Sequence, residues 1–119
     1  MRLLLVIALL AFAPSALAHD HEHPELDQWF RSLQNQIGGS CCDGSDAYSV
    51  EDPDWDVTAD PKNPYRVKLD GKWVLVAASS VVKQVNKVGV AKVWPVWTAG
   101  ERENGGQAYI RCFMPGSGA

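Results

Sequence analysis

The three histidines of this chain all lie between positions 19 and 23, in the run His-Asp-His-Glu-His. If the chain is cleaved after Ala18, His19 carries a free α-amine and His21 occupies the third position. The amine, the next two backbone amide nitrogens and the His21 imidazole could then hold one metal ion in a plane of four nitrogens. This donor set suits Cu(II) or Ni(II). The sequence therefore predicts a copper or nickel site at His19, Asp20 and His21, with His23 as a further donor.

This site depends on a targeting segment, residues 1–18. Arg2 supplies a positive charge, residues 3–12 are an unbroken apolar run, and Ala16-Leu17-Ala18 has the small residues of a cleavage site. The apolar run is about half the ~20 residues that a membrane-spanning helix needs. We therefore expect a cleaved signal peptide, a periplasmic or secreted protein, and no stable membrane insertion.

The three cysteines, Cys41, Cys42 and Cys112, are the second group with chemical potential. Adjacent cysteines rarely bond to each other because the small ring would be strained, so Cys112 should pair with one of the other two. The choice is nearly even. We favour Cys41, because Cys42 adjoins the Asp43-Gly44 turn and should lie nearer the surface. Cys42 would then be a free thiol that could link two chains into a dimer.

A thiol-redox or thiol-linked function of the Cys41-Cys42 pair is an alternative interpretation. It has weak support, because the chain has no Cys-x-x-Cys motif and no His or Lys next to the pair that would lower a thiol pKa. A structural role for the cysteines is the simpler interpretation.

The charged residues are unevenly distributed along the chain. Residues 43–60 contain seven acids and no base, whereas residues 62–92 contain seven bases and one acid, Asp70. The net charge of −3 argues against a general nucleic-acid or anionic-membrane binder. Solvated loops followed by the outer face of a sheet would explain the pattern, and a surface that docks a partner is the alternative.

The strongest strand signal is a pair of alternating runs on either side of Asp70-Gly71, which favours a two-residue type I′ hairpin. This register places Lys68 opposite Trp73 and predicts that Arg66, Lys68 and Trp73 share the outer face. The residues expected on the inner face are Tyr65, Val67, Val74 and Val76. The basic and aromatic outer face is the candidate ligand surface.

The remaining pattern predicts one helix and several short strands. Pro24 suits the first turn of a helix over residues 24–37, and Gly38-Gly39 ends it. Its apolar stripe comprises Leu26, Trp29, Phe30, Leu33 and Ile37. Strands are expected near residues 47–50, 90–94 and 107–113, the last with Ala108, Ile110 and Cys112 on one face.

We therefore expect a single α+β domain over residues 24–115. One N-terminal helix should pack on a small, mostly antiparallel sheet of four or five strands, which could curl like a barrel. Residues 19–23 form a His-rich leader and residues 116–119 a flexible tail.

Several landmarks carry a resemblance: the His-Asp-His start, Gly39-Ser40-Cys41-Cys42, Trp94-Pro95, and Ile110-Arg111-Cys112-Phe113-Met114-Pro115-Gly116. Over nearly the whole mature length the chain resembles a group of small exported proteins from alphaproteobacteria, the rhizobia and their relatives. The resemblance implies export and a compact fold, and it transfers no catalytic role. More distant relatives look as if they carry a fourth cysteine where this chain has Ala47, which would account for one unpaired thiol.

The sequence contains no recognisable catalytic motif. Hydrolytic triads need a histidine or an equivalent base near the nucleophile, and here every histidine lies in the leader. The chain also has neither a Gly-rich phosphate loop nor a His-Glu-x-x-His motif. We therefore expect a non-enzymatic binding or interaction protein whose partner is an exported protein or a small ligand.

Overall fold

The computed structural model describes residues 24–41, 47–98 and 100–117. They form one short helix and two antiparallel three-stranded sheets, a mostly β form of the expected α+β class. The strands are β1 (Tyr48–Val50), β2 (Trp55–Val57), β3 (Tyr65–Leu69), β4 (Lys72–Val76), β5 (Ala91–Val96) and β6 (Tyr109–Met114). The strand order is β1-β5-β6 in the first sheet and β2-β3-β4 in the second. Within the described ranges the strands form no closed barrel.

The N-terminal helix is shorter than the sequence predicted. A 3-10 turn, Pro24–Leu26, leads into α1, Asp27–Ser32, which therefore ends five residues before position 37. Leu33 is already extended, with φ −66° and ψ 134°. The predicted helix over residues 24–37 is thus wrong in its second half.

Hydrogen bonds made by Gln34 and Asn35 explain the early end of α1. The Asn35 N–H donates to the Gly39 carbonyl, and the Gln34 carbonyl accepts from the Lys83 N–H. These bonds replace the ones that a continuing helix would have made. As a result Ile37, expected on the apolar stripe, is 75% exposed.

The two sheets enclose one apolar core. Its buried members come from both sheets and from the chain just before β6: Val50, Val67, Val74, Val76, Ala91, Val93, Ala108, Ile110 and Phe113. Trp55 and Tyr65 pack against this core, and each of their rings contacts the ring of Phe113. The inner face predicted for the hairpin therefore does face the core.

The other face of the first sheet is covered by residues 24–41, which we call the N-terminal segment. The buried residues of this second cluster are Phe30, Leu33, Cys41, Val82, Trp94, Cys112 and Met114. Lys92 is also buried on β5, and its Nζ donates to the Ser49 hydroxyl at 2.7 Å. Because β5 is covered on both sides, its first five residues are all buried.

A β-bulge changes which side chains of β6 share a face. Trp94 pairs with Cys112 and Pro95 with Ile110, which leaves Arg111 as an extra residue on β6. Ile110 therefore faces the second sheet, whereas Cys112 faces the N-terminal segment. The prediction that Ala108, Ile110 and Cys112 share one face is wrong for Cys112, although all three are buried.

Cys41 and Cys112 form a disulfide with their Cα atoms 5.5 Å apart, the pairing favoured from the sequence. Cys41 is held in the second cluster because its N–H donates to the Leu33 carbonyl at 3.0 Å. The bond links the end of the N-terminal segment to β6 across a sequence separation of 71 residues. Cys42 lies outside the described residues.

Gly116 and Ser117, which the sequence places in a flexible tail, contact the rest of the domain. The Ser117 N–H donates to the Gly89 carbonyl at 2.9 Å, and a side chain at Gly116 would come within 3.2 Å of the Trp55 ring. The chain is therefore packed against the domain as far as Ser117, and positions 118 and 119 are outside the described ranges.

Candidate functional site

The β3–β4 hairpin has the register predicted from the sequence, with Lys68 opposite Trp73 and Arg66 opposite Leu75. Asp70 and Gly71 both have positive φ, 48° and 78°, as a type I′ turn requires. The hairpin therefore places Arg66, Lys68 and Trp73 together on its outer side, as predicted. We call these three residues the basic–aromatic face.

Two cations approach the Trp73 ring on this face. The Arg66 guanidinium carbon lies 4.4 Å from the ring centroid, and the Lys68 amine nitrogen lies 6.0 Å from it. Both distances fit attraction between a cation and the negative face of an indole. The sequence predicts Lys68 opposite Trp73 across the strand pair, but the diagonal contact of Arg66 with the ring is closer. Trp73 keeps 40% of its surface exposed.

The neighbouring strands set the charge of this surface. Asp56 on β2 lies opposite Arg66 and accepts a hydrogen bond from its Nη2 at 3.1 Å. Lys68 is exposed and has no acidic partner among the residues that the structure describes. The surface thus keeps a net positive charge around an exposed indole, and Leu75 beside it is 58% exposed.

A second charged cluster lies at the tip of the hairpin, and sequence reasoning missed it. The Arg102 guanidinium donates to both oxygens of Asp70, at 2.9 and 3.0 Å, and its central carbon lies 4.2 Å from the centroid of Trp97. The hydrogen bond from Arg102 holds the pKa of Asp70 below its usual range. Arg102 lies in the loop before β6, and no local sequence pattern connects it with Asp70, because the two residues are separated by 32 positions.

This loop closes over a small cavity of about 230 Å³. Apolar side chains, including Leu69, Val74 and Trp97, line part of it, and the Lys72 amine donates to the Gly105 carbonyl at its rim. The charged groups at the rim, Asp70 and Arg102, already pair with each other. We therefore assign a structural role to Asp70 and Arg102: their ion pair holds the loop against the tip of the hairpin.

A larger groove of about 460 Å³ lies between β4 and residues 107–110. Its β4 wall is formed by Trp73, Val74 and Leu75, so it adjoins the basic–aromatic face. No local sequence pattern indicates this groove, because its two walls belong to different sheets.

The predicted metal residues, His19, Asp20, His21 and His23, lie outside the described residues. In the described ranges, no group of three or more His, Cys, Asp or Glu side chains could hold a metal ion. The copper or nickel site stays a prediction from the sequence.

Comparison with protein-family models, curated proteins and solved structures gives no match to this chain. None of the helices in the described part is long and apolar enough to span a membrane.

Proposed function

We propose that this protein is an exported, non-enzymatic binding protein that docks an acidic partner on its basic–aromatic face. The observation that carries this proposal is the placement of Arg66 and Lys68 against an exposed Trp73 ring. Arg and Trp are enriched among the residues that dominate binding energies at protein interfaces. The opposite side of the hairpin forms the core, so the sheet holds this surface rigidly.

The charges on the face favour carboxylate ligands. Asp56 occupies the Nη2 atom of Arg66, which leaves other guanidinium N–H groups directed away from that pair. The exposed amine of Lys68 adds a second positive group next to the same ring. The carboxylates of an acidic segment can therefore contact Arg66 and Lys68, and its apolar atoms can pack against the Trp73 indole.

Three further features support export to the periplasm or the medium. The first 18 residues have the pattern of a cleaved signal peptide, and the resemblance to small exported alphaproteobacterial proteins points the same way. The Cys41–Cys112 disulfide is typical of an oxidising compartment.

The test is binding of an octaglutamate peptide to the mature protein, measured by calorimetry at low and moderate salt. Lys68→Gln and Arg66→Gln should each weaken binding about 2–5-fold, the range for exposed charge pairs. Lys83→Gln makes the same charge change at an exposed position outside the face and should leave binding unchanged. Absence of binding, or an equal loss in Lys83→Gln, would refute docking at this face.

A second function is supported by the sequence of the leader. We propose that the mature N-terminus binds Cu(II) or Ni(II) through His19, Asp20 and His21, because cleavage after Ala18 puts an imidazole in the third position. Intact-mass analysis should find His19 as the first residue. Cu(II) titration should then give a violet-shifted four-nitrogen absorption band at one equivalent.

Two variants make the metal test specific. His21→Ala removes the third-position imidazole and should abolish the band. His23→Ala is the matched control and should keep it, because His23 lies outside the planar set. A band that persists in His21→Ala contradicts the assignment.

The alternative function is a thiol-linked or thiol-redox role for the Cys41-Cys42 pair. Since Cys41 is bonded to Cys112, this role would fall to Cys42. Mixed-disulfide trapping separates the thiol-linked role from non-covalent binding. A non-covalent binding protein gives no specific thiol partner, whereas a thiol-linked protein gives one that is lost in Cys42→Ser.

A further inference from the structure

β4 is an edge strand whose outer hydrogen-bonding groups have no partner in the described part of the chain. The two-residue turn makes Leu69–Lys72 and Val67–Val74 hydrogen-bonded pairs, so the N–H and C=O groups of Trp73 and Leu75 point away from β3. Among residues 24–41, 47–98 and 100–117, β4 pairs only with β3, and no backbone hydrogen bond from outside the hairpin reaches Trp73 or Leu75.

The other sheet edge near the groove is covered. The Val82 N–H donates to the Phe113 carbonyl at 2.9 Å, and the Ser80 hydroxyl donates to the Ile110 carbonyl at 2.8 Å. Natural edges are usually protected by coverage, by proline or by charge. β4 has no proline, carries its single charge at Lys72, and exposes two large apolar side chains in its centre.

The groove next to β4 has the size and lining of a binding site. Its volume of about 460 Å³ lies within the ~300–1,000 Å³ range of ligand sites. Apolar atoms of Val74, Ala108 and Ile110 line it, together with Trp73, Leu75 and Tyr109 around the opening.

We propose that β4 takes up an extended acidic peptide as an additional antiparallel strand. This inference deepens the proposed function, on which it rests, by naming the form of the acidic partner. The N–H and C=O groups of the peptide would pair with those of Trp73 and Leu75. Alternate side chains would enter the groove, and the others would stand on the outer side near the cations.

The positive charge beside β4 indicates which partner would occupy its free edge. The Arg66 guanidinium lies between Asp56 on β2 and the Trp73 ring on β4, with its central carbon 4.4 Å from the ring centroid, so positive charge extends from β3 over the edge strand. Carboxylates on the outer side of an added strand would approach Arg66 and Lys68. A second copy of β4 would instead bring a second basic surface alongside the first, and Lys72 on an edge also opposes self-pairing.

The test uses a synthetic peptide of alternating glutamate and valine, with blocked ends, added to the 15N-labelled mature protein. Binding should slow hydrogen exchange of the Trp73 and Leu75 amides about tenfold or more. The same peptide with lysine in place of glutamate should bind at least about tenfold more weakly, because it reverses every charge.

Backbone methylation separates strand addition from docking of side chains. With glutamates outward, the glutamate N–H groups of an antiparallel strand point toward β4. N-methylation at the glutamates should weaken binding about tenfold or more, since it removes those bonds. N-methylation at the valines is the matched control and should keep the affinity within about threefold.

A protein variant provides an independent check. Leu75→Pro removes an outward N–H on an edge strand, a position where proline is tolerated, and should weaken binding about tenfold. Leu75→Thr keeps the N–H and should bind within about threefold of the parent protein.

The outcomes distinguish the two levels of the proposal. If both methylated peptides bind like the parent and Lys68→Gln still weakens binding, acidic docking stands and strand addition is overturned. If the acidic peptide does not bind, both acidic docking and strand addition are overturned. Protection of the Trp73 and Leu75 amides without peptide, with a dimer in sedimentation, would assign the edge to a second copy and overturn the acidic-peptide proposal.

Discussion

Asn35 provides the sharpest test of how the N-terminal segment is attached to the sheet. Its side chain is 4% exposed. The Nδ2 group donates to the Arg111 carbonyl at 3.1 Å, and Oδ1 accepts from the Ile37 N–H at 3.2 Å and from the Gly39 N–H at 2.8 Å. One amide therefore joins the turn after α1 to the bulge of β6.

Asn35→Ala should remove all three hydrogen bonds. At about 1 kcal/mol each, the net loss is about 3 kcal/mol, a large part of the ~5–15 kcal/mol available to a domain. Asn35→Asp keeps the acceptor for Ile37 and Gly39 but loses the donor to Arg111. It also puts a carboxylate at a buried position, so it should destabilise the domain as well.

The assay is urea unfolding followed by tryptophan fluorescence, with the disulfide intact. Asn63→Ala is the matched control, because within the described part of the chain its side-chain amide makes one hydrogen bond, to the exposed Asp60; the substitution should cost less than about 1 kcal/mol. If Asn35→Ala is no more damaging than Asn63→Ala, the reasoning about this network is refuted.

Three further predictions concern the disulfide, the hairpin and the tip cluster. Cys112→Ser should lower the free energy of unfolding by about 4 kcal/mol in urea melts, as the chain-entropy model gives for a loop of this length. Val67→Lys should destabilise strongly because it buries an unpaired charge, whereas Arg66→Gln should stay within about 0.5 kcal/mol; the reverse order would mean swapped hairpin faces. Arg102→Gln should raise the pKa of Asp70 toward its ordinary value in an NMR titration of the carboxyl. In the parent protein, the stabilisation from this pair is present above that ordinary pKa and is lost as pH falls through the lowered folded-state value; an unchanged pKa in the variant contradicts the assignment.

The hairpin was predictable because its determinants are local. An Asp-Gly pair between two alternating runs selects a two-residue turn, and that turn fixes every pairing up to Tyr65 and Val76. The face formed by Arg66, Lys68 and Trp73 follows from this register. The strain between adjacent cysteines leaves two possible partners for Cys112, which are Cys41 and Cys42. In the structure Cys41 forms the bond, and its N–H donates to the Leu33 carbonyl, which holds it next to β6.

The sequence by itself therefore determined the features that neighbouring residues control: the hairpin, its core face and its basic outer face. Only the tertiary structure decided where α1 ends, which face Cys112 takes, and how Arg102 meets Asp70. Each of these depends on hydrogen bonds between distant positions, such as Lys83 to Gln34 and Asn35 to Arg111. A local pattern carries no information on such partners, because they become neighbours only when the two sheets and the N-terminal segment pack together.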